Sequence, residues 1–232
     1  GMKYRVAMQL VSDGGEVAAD PENGISLKHG QEAWLVLSAT TSYAAEGTDF
    51  PGSRYAEVCD SLLKNAGVQI KNEMRMRGMA AEATALKSHA AAHRSLYDRV
   101  SLTLPSTPDD TLPTDERILR FTRQESPALA ALYYNYGRYL LISSTRPGSL
   151  PPNLQGLWAN SLLTPWNGDY HTNINVQMNH WPLEQAGLSE LYQPLTTLME
   201  RLVPSGEATA RTFYGKEAEG WVLHMMTNVW NY

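Results

Sequence analysis

The hydrophobic period of this chain changes partway along, and that change sets what it can fold into. Over residues 3–10 apolar side chains alternate, with Tyr4, Val6, Met8 and Leu10 on one side. That is the period-two pattern of a half-buried strand. Gly14-Gly15 marks a turn, residues 24–28 a second short strand, and residues 33–42 (AWLVLSATTS) a β-rich run apolar enough to be buried. Three strands in sequence read as the trailing edge of a sandwich. After a loop-like stretch at 43–53 the period becomes helical: Tyr55, Val58, Cys59, Leu62 and Leu63 share one face, with Ser53 as the expected N-cap. An alanine-rich helix is expected over 73–97, bridging two domains. A short extended run at 100–104 leads into a linker marked by Pro105, Pro108 and Pro113.

Helical signals dominate from there on. Thr114-Asp115-Glu116 sets acidic residues at a helix start. Ser126-Pro127 is a cap followed by proline at the first helical position. The helix after it (LALYYNYGRYLLIS) is apolar or aromatic on nearly every side, so burial on most faces is expected. Arg146-Pro147-Gly148 ends it. A long irregular segment follows to about Tyr170, and helical signals resume over 173–186 and 194–214. Loops of that length inside a compact domain are usually functional.

Composition narrows the function classes. At 232 residues, 43% hydrophobic and 19% charged, the chain is long enough to bury a real core and is not disordered. A net charge of −5 with no Lys/Arg run argues against nucleic-acid binding. No apolar stretch reaches the roughly 18 residues of a spanning helix. Cys59 is the single cysteine, which rules out an internal disulfide and a cysteine-rich zinc site. The histidines lack tight ligand spacing, so neither metal nor cofactor is expected. A glycine ahead of Met2 reads as a cloning scar, and the abrupt Trp230-Asn231-Tyr232 end as a cut through something larger.

The chemistry concentrates in residues 150–184, LPPNLQGLWANSLLTPWNGDYHTNINVQMNHWPLE. Uncharged amides beside tryptophans suit a neutral polyol: sugar C–H faces stack on indole rings while amides exchange hydrogen bonds with hydroxyls. A phosphate site would instead want basic side chains and glycine-rich backbone. Ser161 and Cys59 have no acyl-transfer motif around them. Asparagines are also common in turns and tryptophans in cores, so density alone decides nothing. Asn173 and Asn175 stand apart because they lie two residues apart at an expected loop-to-helix junction, where both amides can aim at one small target.

The run RYLLISSTRPGSLPPNLQGLWANS…PWNGDYHTNINVQMNHWPLE resembles glycoside hydrolase family 95, inverting α-L-fucosidases that cleave α-1,2-linked fucose, with relatives acting on α-L-galactosides. The likeness extends back through LPTDERILRF and SLYDRVSL and forward through GWVLHMMTNVW. It implies a fold class of α+β, mostly α: the end of a β-sandwich (1–50), a helical linker (51–113) and the first helices of an (α/α)6 barrel (114–232). By motif match Asn173 and Asn175 hold the attacking water, with a carboxylate behind them. His171 lies near the C5 substituent of the sugar, and Trp166, Gln155 and His224 are further substrate-binding candidates. A histidine at 171 looks more like the fucosidase type than the galactosidase type. In HMMTNVW the family more often reads HHNTDLW, so Met225, Met226 and Asn228 are departures, and His224 is as much a core candidate as a ligand contact. That weakness leaves open a non-catalytic sugar-binding protein; a sugar phosphorylase is disfavoured because no phosphate pocket shows.

The same resemblance places the general acid and base on later barrel segments. Asp169, Glu184 and Glu190 do not match those positions, and Glu184 reads as an orienting or capping residue. His180 reads as structural, and His89 and His93 as surface positions. The expected partner is a fucosylated oligosaccharide. Location is expected to be the periplasm or cell exterior of a bacterium. An incomplete barrel leaves an apolar face uncovered, so the isolated chain is expected to self-associate.

Overall fold

The computed structural model describes residues 1–77, 81–123 and 125–231. Residues 78–80, inside the helix expected over 73–97, and Tyr232, the last residue of the abrupt end, lie outside the described residues. The chain is mixed α and β, mostly α, and divides into two compact units, Gly1–Ala92 and His93–Tyr232.

In the first unit β1 (Tyr4–Ser12) pairs antiparallel with β4 (Ala33–Thr41), Tyr4 opposite Thr41 and Ser12 opposite Ala33. Between them β2 (Glu16–Asp20) and β3 (Gly24–Lys28) form a separate hairpin. Only β3 of that pair was expected: Glu16 and Asp20 gave β2 no apolar alternation to read, and both its faces are exposed. Helix α1 (Tyr55–Arg77) packs on the β1–β4 pair. Its fully buried Cys59 sets Sγ 3.4 Å from the Ser38 carbonyl, and Val11 and Met74 form a small core with Trp34, Val36 and Ile70.

The face that α1 covers therefore carries Val11, Val36 and Ser38. The expected buried face is the opposite one: Tyr4 is 76% exposed, with Val6, Met8, Leu35 and Leu37 also exposed. The β4 run is likewise buried on one side only. Strand alternation tells that one face differs from the other, and the partner element decides which is covered. Ser53 is not a cap either. It lies inside a 3₁₀ turn, Gly52–Arg54, that runs straight into α1.

The second unit takes in the last turns of α2 (Ala81–Tyr97), then α3 (Thr114–Phe121), α4 (Pro127–Ser144), α5 (Asn175–His180) and α6 (Gln193–Tyr214), with a two-residue pairing of β5 (Tyr170–His171) and β6 (Met226–Thr227). The α4 start follows its sequence signal, the Ser126 side chain accepting from the Leu129 N–H. One core joins Leu96, Leu141, Ile142, Leu183, Leu188 and Leu191.

Arg138 on α4 is buried against that core. It donates to the carbonyls of Leu96, Tyr97, Val100 and Ala186 and lies over the Tyr97 ring. Three of those carbonyls lie in or just beyond the last turn of α2, so one guanidinium caps that helix end. Helix α4 is not covered on most faces: Leu132, Tyr133, Tyr136 and Tyr139 are all exposed. His93 is not a surface residue, being half-buried with its ring stacked on Tyr97 and tilted toward Tyr139.

Candidate functional site

Helix α6 is the platform of the site. Gly206 lets residues 221–222 cross it closely: a Cβ there would lie 2.8 Å from the Trp221 ring and 3.0 Å from the Val222 carbonyl. The Val222 N–H donates to the Gly206 carbonyl. Further on, Arg201 donates to the Val229 carbonyl and to Asn231 Oδ1, and Asn231 Nδ2 donates back to the Arg201 carbonyl. The 221–231 segment is thus tied down at both ends. Tyr170, Val176, Leu198 and Leu202 make the apolar floor beneath it, and the Tyr170 hydroxyl donates to the Pro151 carbonyl.

On that floor β5 and β6 bring the two sequence motifs together. Tyr170 pairs with Thr227 and His171 with Met226. The Thr172 N–H continues the ladder to the Met225 carbonyl at 2.8 Å, and its hydroxyl donates to the His224 carbonyl at 2.7 Å. His171 is half-buried, meets the Trp166 ring edge-on, and keeps a buried Nε2 with no hydrogen-bond partner among the described residues. Trp166 and Asn167 take left-handed backbone (φ 51° and 55°) in a tight turn, which holds the Trp166 ring out in solvent, 64% exposed. That conformation is uncommon for residues with a Cβ and clusters at functional sites.

Asn173 is exposed, and Asn175, half-buried, opens the six-residue α5. Neither amide makes a hydrogen bond among the described residues. His224 is exposed, its Nε2 3.2 Å from the Tyr214 hydroxyl and its ring edge-on to Phe213. Trp166, His171, Asn173, Asn175 and His224 are therefore carried by one β5–α5–β6 neighbourhood. Gln155 sits elsewhere, lining a cleft of about 690 Å³ beside Tyr133, Trp158, Met178 and Asn179. Asn153 joins that cleft to the Trp166 turn: its Nδ2 donates to the Gly168 carbonyl, and its own carbonyl accepts from Asn179 Nδ2.

Of the three carboxylates singled out in the sequence, Glu190 and Glu184 are committed, while the Asp169 side chain makes no hydrogen bond or ion pair among the described residues. Arg99 donates to Glu190 at 2.6 Å, and Glu184 accepts from the Ser189 hydroxyl at 2.7 Å. The Glu190 carboxyl is held below its ordinary pKa, chiefly by its own backbone N–H and also by Arg99, the opposite of what a general acid needs. Among the described residues no group of three or more His, Cys, Asp or Glu side chains is placed to hold a metal ion, and no helix is long and apolar enough to cross a membrane. Sequence reasoning passed over Thr172, Arg201 and Gly206, and counted Gln177 only among the amides of the 150–184 run. Their roles run through main-chain groups, which leave no mark in composition.

An aromatic ring, an unsatisfied imidazole and two unspent amides on a helical frame fit a carbohydrate-active enzyme domain. Residues 81–232 match the model of the glycosyl hydrolase family 95 catalytic domain. The chain is 38% identical over its whole length to a protein named "Probable alpha-fucosidase A" from Aspergillus niger, of which it covers 29%. It is 32% identical over 99% of its length to "Alpha-L-fucosidase 2" of Arabidopsis thaliana, covering 27% of that protein. A further "Probable alpha-fucosidase A", from Aspergillus oryzae, is 34% identical over 95% of the chain, which covers 30% of it. These relatives are fungal and plant proteins, and the chain spans less than a third of each. The chain belongs to glycosyl hydrolase family 95.

Proposed function

We propose that the protein carrying this chain is an α-L-fucosidase that hydrolyses terminal α-1,2-linked L-fucosyl residues with inversion, and that this chain supplies its water-positioning residues. In an inverting hydrolysis one carboxylic acid protonates the leaving oxygen while a carboxylate draws a proton from water on the opposite face of the sugar. Asn173 and Asn175 hold that water in line. An amide cannot usefully deprotonate water, so its contribution is placement. The observation that carries the reading is the pair of uncommitted amides beside a strand ladder that holds Thr172 through its N–H and hydroxyl. Trp166 offers a stacking face, and the His171 ring edge-on to it lies near the C5 substituent of the sugar. The acid and base come from residues outside this chain: the family resemblance puts them on later segments, which Asp169, Glu184 and Glu190 do not match, and Glu190 and Glu184 are also spent on Arg99 and Ser189.

The three-part division at about residues 50 and 113, an (α/α)6 barrel, export from the cell, and self-association of the isolated chain through its exposed apolar faces belong to the same proposal. In the complete enzyme, Asn173→Ala and Asn175→Ala should each lower kcat for fucose release from 2′-fucosyllactose by about 100-fold or more, with a smaller change in KM. Unchanged kcat in either variant would reject the reading.

A further inference from the structure

We infer that Thr172 and Gln177 are positioning residues that brace the Asn173–Asn175 corner from both sides. The inference rests on the water-positioning reading above and adds the reason an asparagine pair can hold a fixed geometry here.

All three polar groups of Thr172 are spent, and on two different segments. Its N–H and hydroxyl reach the Met225 and His224 carbonyls, while its own carbonyl accepts from Gln177 Nε2 at 2.6 Å. The Gln177 bond closes a ring around residues 173–176, which contains both asparagines. Packing alone does not hold that ring. Ile174 is 41% exposed, its φ of −165° is extended and keeps it out of the helix, and Val176 is the one buried side chain inside the ring. A six-residue helix is also too short to hold its own first turn. Polar bracing therefore does what burial does elsewhere. Because the amides act only by placement, a shift of about 1 Å costs on the order of 100-fold in rate.

The brace also accounts for the departures in HMMTNVW. Thr172 uses the main-chain carbonyls of residues 224 and 225, and the side chains of Met225 and Met226 are each half-exposed. Side-chain changes there leave both bonds in place.

The test is steady-state kinetics of the complete enzyme on 2′-fucosyllactose with Thr172→Val, Thr172→Ser, Gln177→Met and Asn173→Ala, together with the double variant Thr172→Val/Asn173→Ala. Thr172→Val and Gln177→Met should each lower kcat about tenfold or more, with KM within about threefold of wild type. Thr172→Ser, which keeps the hydroxyl, should recover most of the loss. Thr172→Val should add little on the Asn173→Ala background, because the brace acts through the amide. Gln177 is exposed, so Gln177→Met tests the brace even if Thr172→Val fails to fold. If Asn173→Ala collapses kcat while Gln177→Met and every folded Thr172 variant keep it, the bracing inference fails and the water-positioning reading stands. If Asn173→Ala keeps kcat, both fall.

Discussion

Two sets of side-chain amides share residues 150–184, and they are put to different uses. Asn153 and Asn179 are spent on main-chain carbonyls, Asn153 also accepting the Gln155 N–H. Gln177 braces the Thr172 carbonyl. Asn173, Asn175 and the Gln155 side chain make no hydrogen bond among the described residues. The residue types are the same and the separation in sequence is short. A buried or half-buried amide without a partner costs stability unless water or a ligand meets it. The spent amides are therefore architecture, while half-buried Asn175 and Gln155 are left for water or a ligand to meet and exposed Asn173 is open to one. Arg138 is the extreme of the first kind, a buried cation whose partners are all carbonyls.

The comparison breaks most visibly at Arg138. Arg138→Met should lower the stability of the chain by about 3–5 kcal/mol, because it leaves the carbonyls of Tyr97, Val100 and Ala186 without the guanidinium and that of Leu96 with only the long bond from the Arg99 N–H. Urea denaturation measures this. A loss under about 1 kcal/mol would show that water or the backbone readily replaces the guanidinium. Asn173→Ala, by contrast, should change stability by no more than about 0.5 kcal/mol while it removes activity.

Asn153→Ala sits between the two. It cuts the bond to Gly168 that anchors the Trp166 turn and the acceptor for Gln155. A stability loss of about 1–2 kcal/mol is expected, with a rise in KM larger than the fall in kcat, since in the proposed function the turn presents a stacking face and takes no part in placing water. If kcat fell as far as in Asn173→Ala, the line between architectural and ligand-facing amides would be drawn in the wrong place.

Much of this was legible in the sequence, for identifiable reasons. The Ser126-Pro127 start, the α6 helix and the two motifs depend on local signals or on short runs of distinctive residues. The covered face of β1 depends on where α1 docks, which alternation does not encode. Helix α4 looked buried all round because its aromatics are apolar, yet Tyr133 is 78% exposed. The site divides the same way. Trp166, His171 and the asparagine pair were visible as residue types, whereas Thr172 works through its amide and carbonyl as well as its hydroxyl, and Gly206 by having no side chain. Arg138 read as one charge in an apolar helix, with nothing in the sequence to name its carbonyl partners.

The smallest expected effect is a pH dependence at His180, which reads as structural in sequence and is buried in the fold. Its Nδ1 lies 2.7 Å from the Val176 carbonyl, which requires a proton on that nitrogen; its Nε2 is buried with no hydrogen-bond partner among the described residues. The ring also stacks on Tyr192, whose hydroxyl donates to the His180 carbonyl. Burial disfavours the charged ring and holds its pKa below the ordinary 6.5, with the Val176 bond opposing part of that shift. The unfolded chain therefore binds the proton more readily than the folded one. Stability from this residue is fully present above about pH 6.5 and is lost as pH falls through the lowered value. His180→Asn keeps a donor near the Val176 carbonyl and removes the titration. Urea midpoints measured at pH 7.5 and 5.5 should fall less steeply in His180→Asn than in the parent chain, the shared carboxylate contribution cancelling between the two proteins. Equal slopes would mean that solvent reaches Nε2, and His180 would then belong with the unspent groups.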